Sequence, residues 1–86
     1  MSTTLCFSPK TKQKDYLGNG LKYILGPRLW GHDGSLGSDW TEVGHELVPF
    51  LEGVVAATTN AEVERDAQML IDLIREHDGL LLRLAP

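Results

Sequence analysis

His32, Asp33, Asp39, His45 and Glu46 fall within one short stretch of the chain, and each is a residue type that ligates divalent metals. A zinc site needs several such ligands held in a pre-oriented shell. The H-E-x-x-H signature begins at His45-Glu46 and then fails, because Leu47-Val48-Pro49 follows and no second histidine stands in its place. The spacing from His32 to His45 is one that geometry permits and nothing demands. No metal and no cofactor is expected. A small metal-dependent enzyme built on His32, Asp33 and His45 is the most remote alternative.

A nucleophilic triad can be assembled on paper from Cys6 or Ser35, His32 or His45, and Asp33 or Asp39. Such types occur by chance in most chains, and they gain meaning only when a nucleophile sits within hydrogen-bond reach of an oriented base. There is no G-x-S-x-G elbow, and Cys6 in Thr4-Leu5-Cys6-Phe7 reads as a small core hydrophobe. Gly18-Asn19-Gly20 does not extend to a dinucleotide fingerprint, because position 23 is tyrosine, and no G-K-[ST] phosphate loop occurs. No catalytic residue is assigned, and the protein is expected not to be an enzyme.

Tryptophan points towards binding instead, since it concentrates interface energy in a large rigid ring with one donor. Trp30 lies between Leu29 and Gly31 in a glycine-rich segment, with His32 beside it and Leu36 beyond. Leu29, Trp30, His32 and Leu36 form the expected partner surface. Trp40 falls on a helical stripe and is expected in the core. Met69 and Leu73 lie one turn apart beside another apolar stripe, where they would support pairing with a second copy.

The elements that must carry these residues follow from the pattern. Thr3 to Phe7 has strand-like composition and stops at Ser8-Pro9, where proline denies an amide to a continuing ladder. Residues 8–14 read as a flexible basic loop or arm. Residues 16–25 admit a helix, with Leu17, Leu21 and Ile24 in phase, or a hairpin around Asn19-Gly20; the glycines favour the hairpin or a single strand. Residues 26–39 hold Pro27 and four glycines, which oppose any regular element, so an anchored loop is expected there.

From Asp39 the period becomes helical through Trp40, Val43, Leu47, Leu51, Val54 and Val55, with Pro49 dividing residues 39–47 from residues 49–57. Thr59 with Glu62 offers a capping box, or Asn60 caps one residue later, and Gly79 suits a left-handed terminator. Between them Val63, Ala67, Leu70, Ile71 and Ile74 define a core stripe. Leu80-Leu81-Leu82-Arg83-Leu84 then reads as a largely buried strand. The pattern predicts an α+β fold, a small sheet of two to three short strands with two main helices on one side. A small all-helical bundle is the alternative.

Length and charge narrow the class further. The 86 residues suit one small domain, and general surface scaling leaves only about 63% of the unfolded chain's surface buried, so a partner surface would help. A single cysteine excludes an intramolecular disulfide framework. The amino-terminal pattern does not resemble a signal peptide, and no run is long enough to span a membrane, so a cytoplasmic protein is expected. Residues 1–28 carry five Lys or Arg against one acid, whereas residues 29–86 carry three Arg against eleven acids. The larger, acidic part repels a phosphate backbone and suits a basic protein partner. The sequence therefore predicts a small acidic regulator, inhibitor or adaptor. A nucleic-acid accessory role would rest on Lys10, Lys12 and Lys14 alone.

Overall fold

A computed structural model describes residues 3–8, 17, 20–34, 36–77 and 79–85. The order is strand β1 (Thr4–Ser8), helix α1 (Lys22–Leu25), a π-helical turn (Gly26–Trp30), strand β2 (Thr41–Val43), a 3-10 turn (His45–Leu47), helix α2 (Val48–Ala57), helix α3 (Ala61–Glu76) and strand β3 (Leu80–Ala85). The fold is α+β, as the pattern predicts. Of the basic arm expected at residues 8–14, Ser8 instead ends β1, paired with Leu81, and residues 9–14 lie outside the described residues.

The four leucines of residues 80–84 form the centre of the sheet, whose order is β1-β3-β2 with both pairings antiparallel. Leu5 faces Leu84, Phe7 faces Leu82, and Val43 faces Leu80, so alternate residues of all three strands enter the core. Every helix sends side chains into that same core: Leu25 from α1, Leu51 from α2, and Leu70, Ile71 and Ile74 from α3. All the helices therefore lie on one side of the sheet. Beside β1, Leu17 donates its amide to the Leu5 carbonyl at 2.7 Å, so that edge is partly closed.

Helix α3 carries the cleanest local signals. Its side-chain cap is Asn60, whose Oδ1 accepts from the amides of Glu62 at 2.9 Å and Val63 at 3.3 Å. Thr58, rather than Thr59, braces that cap by accepting the Asn60 amide at 3.1 Å. The helix stops at Glu76, with His77 already extended as its C-cap, so Gly79 is not the terminator; with φ of 67° it turns the chain into β3. Among the described residues no helix is long and apolar enough to cross a membrane.

Three further expectations are corrected. Residues 21–25 do not supply the second arm of a hairpin: Lys22–Leu25 is a helical turn, with Leu17, Leu21 and Leu25 all fully buried. Gly20 serves close approach instead, because a Cβ there would stand 3.1 Å from Val63 of α3. Residues 39–47 are not helical either. Thr41–Val43 pairs with β3, and the apolar positions that mimic a helical stripe include Val43, which faces inward by strand alternation. Pro49 does begin a helix, α2, where its missing amide costs nothing. Third, Trp40 is not core; it is 40% exposed on the sheet's outer side.

Candidate functional site

The segment between α1 and β2 is held at both ends by specific hydrogen bonds. Lys22 is buried, and its Nζ donates to the Thr3 carbonyl at 2.8 Å, while the Thr3 hydroxyl donates to the Gly34 carbonyl. One lysine counted in the basic amino-terminal region is thus an internal tie. Gly34 has φ of 89°, and a Cβ there would meet the Lys22 carbonyl oxygen at 2.6 Å. At the exit, Ser38 donates its amide to the Leu84 carbonyl, and its Oγ accepts the Leu84 amide, both at 2.9 Å. The loop is therefore stitched to Thr3, just ahead of β1, and to β3.

Beside the Ser38 tie lies a surface cleft of about 620 Å³ lined by Trp30, His32, Gly37, Ser38, Asp39 and Thr41. The Trp30 indole donates to the Thr41 hydroxyl at 2.8 Å, and that hydroxyl lies 3.3 Å from the Asp39 carbonyl that accepts from it. The ring is thereby fixed in orientation while only partly buried. His32 Nδ1 accepts the Gly34 amide at 3.0 Å, which places the proton of the neutral imidazole on Nε2. Among the described residues the Asp39 carboxylate makes no hydrogen bond and no ion pair. A smaller hollow of about 260 Å³ is bounded by Arg28 and Leu29 on one side and Glu42 and Glu46 on the other. From residue 31 to residue 46 there are four acids and no lysine or arginine, while Arg28 borders the smaller hollow.

The structure brings Trp30 and His32 together at the cleft and places Leu36 beside its Gly37-Ser38 wall, 62% exposed. Leu29 is half-buried against the core and belongs to the smaller hollow. Met69 and Leu73 do not join them. Leu73 is a core residue, and Met69 packs against the core on α3, because the apolar face of that helix is wider than the stripe read from the sequence. Asp39 enters the sequence reading as a candidate metal ligand or triad acid, not as a partner-binding residue, and Ser38 and Thr41 do not enter it as site residues. Nothing local in the sequence reports that Thr41 receives the Trp30 donor.

The groups considered for catalysis sit apart in the chain's architecture. Cys6 is on β1, His32 on the loop, and His45 at the start of the 3-10 turn; Ser35 lies outside the described residues. Among the described residues no three His, Cys, Asp or Glu side chains converge as a metal site. Neither a family model, nor a curated protein, nor a solved structure matches this chain.

Proposed function

We propose that this protein acts by binding another protein, as a regulator, inhibitor or adaptor, and that the cleft beside Trp30 receives a basic, partly apolar segment of that partner. The observation that carries this reading is the pairing of an orientation-locked indole with the unengaged Asp39 carboxylate in one cleft, beside exposed Leu36. A rigid aromatic wall supplies contact area at low ordering cost, and a single-sign rim selects the partner's charge. Catalysis is no part of the proposal, and no residue is assigned to it. Of the described cations, Lys22 is buried, Arg28 lies 4.2 Å from the Phe50 ring centre, and Arg75 pairs with Glu52 at 3.6 Å, which leaves these three less open to a phosphate backbone.

The test compares wild-type protein with a Leu36→Ser, Asp39→Asn variant as bait in an extract of the native host. Both positions are exposed, so the fold should survive, and a thermal melt verifies it. A basic protein retained by wild type alone, and bound at least about tenfold more weakly by the variant in titration, supports the site. Equal retention by both baits removes it.

A further inference from the structure

We propose that two copies of this chain pair through the outer face of the sheet. The alternation that sends Leu80, Leu82 and Leu84 into the core leaves Leu81, Arg83 and Ala85 on the opposite side, with Cys6 across from Arg83 and Glu42 across from Leu81. None of these side chains belongs to the core cluster to which every helix contributes. Trp40 stands at the margin of this face, 40% exposed, with the Arg83 guanidinium 5.8 Å from its ring centre.

The charges on this face say which partner fits. Arg83 is the only lysine or arginine in the three strands, and among the described residues it makes no ion pair. Its Nε is buried and has no hydrogen-bond acceptor among the described residues, a costly condition for a charged group. Glu42 lies on the same face, exposed, and likewise makes no ion pair or hydrogen bond among the described residues. Within one chain the two diverge: Arg83 turns over Trp40, whereas the Glu42 carboxylate reaches towards Gly79. A basic partner would leave Arg83 unmatched, and an acidic partner would leave Glu42 unmatched. A second copy related by a two-fold axis satisfies both, since each Arg83 meets the other copy's Glu42 while Leu81 and Trp40 lose exposed apolar surface. The surface is self-complementary, unlike the acidic cleft.

The experiment follows sedimentation across the micromolar range for wild type, Glu42→Arg and Arg83→Glu, with a thermal melt of each. Wild type is expected to show a concentration-dependent monomer–dimer equilibrium, and each single variant to dimerise at least about tenfold more weakly because like charges now meet. The decisive arm mixes the two variants. One then carries two arginines at these positions and the other two glutamates, so a mixed dimer regains both ion pairs, and dimer should reappear only on mixing. Glu42 is exposed, so its variant keeps the test open if Arg83→Glu fails to fold. A wild type that stays monomeric, a dimer indifferent to Glu42→Arg, or folded variants that remain monomeric when mixed would each overturn the proposal.

Discussion

Residues 60–85 and residues 20–43 are built on different principles. In the first, each structural choice has a cause within a few residues of itself: Asn60 caps α3, the apolar period buries one face of it, Gly79 takes the left-handed turn into β3, and alternation divides the leucines of β3. In the second, the causes lie far along the chain. Lys22 and Gly34 are fixed by Thr3, Ser38 by Leu84, and β2 exists as the partner of β3. The first region resists unfolding through packing, and the second through ties that close over backbone at close quarters. The cleft lies in the second, and that follows from the chemistry: a surface held by a few polar anchors can leave an indole half open, whereas a packed stripe cannot.

The largest predicted effect tests the packed region. Leu70→Ala removes a fully buried side chain from the α3 stripe and should cost about 2 to 5 kcal/mol, lowering the urea midpoint or abolishing the transition. An unchanged midpoint would mean that α3 does not carry the core.

Next comes the stitched region. Gly34→Ala should cost about 2 to 3 kcal/mol, since the new methyl group meets the Lys22 carbonyl oxygen in a left-handed conformation. Gly31 also has positive φ, 75°, but has open space around it, so Gly31→Ala should cost only about 1 kcal/mol. Equal losses in the two melts would show that conformation matters there and close approach does not. Because His32 accepts the Gly34 amide, Gly34→Ala should also shift the His32 ring resonances, and Gly31→Ala should shift them less.

The smallest effect sharpens the local side of the contrast. Asn60→Ala should cost about 1 kcal/mol through loss of the cap, and Thr59→Ala should cost less, because the Asn60 side chain receives the first-turn amides. A larger loss at Thr59 in chemical denaturation would restore the capping box that the sequence also permits.

What the sequence made legible divides along the same line. α3 and the buried β3 could be read because their signals are local and periodic; the strand order could not, since pairing joins residues far apart in the chain. β2 could not. Three residues carry little period, and Trp40, Val43 and Leu47 fit a helical spacing equally well until the pairing with β3 selects extended backbone. Trp40 was misplaced for the same reason, since a strand sends it to the side opposite Thr41. The helical turn at Lys22–Leu25 hides behind Gly18, Asn19 and Gly20, whose composition resembles a turn; Gly20 is there to let α3 come close. At the site, Trp30, His32 and Leu36 were legible as chemical types in a loop rich in glycine. The cleft itself depends on Thr41 and on the anchors at Thr3 and Leu84, contacts that no spacing along the chain reports.

The order β1-β3-β2 also imposes a schedule on synthesis. As the chain leaves the ribosome, β1 and β2 emerge well before the strand that must lie between them, and they are not each other's neighbours in the finished sheet. Until Leu80–Ala85 appears, neither has its hydrogen-bonding partner, while α2 and α3 can already pack together. Both pairings close over long sequence separations, so the sheet is expected to form only once β3 is available. A chain halted before Leu80 should keep helical signal, lack the sheet, and expose the apolar sides of β1 and β2 to the quality-control machinery that recognises unpaired strands.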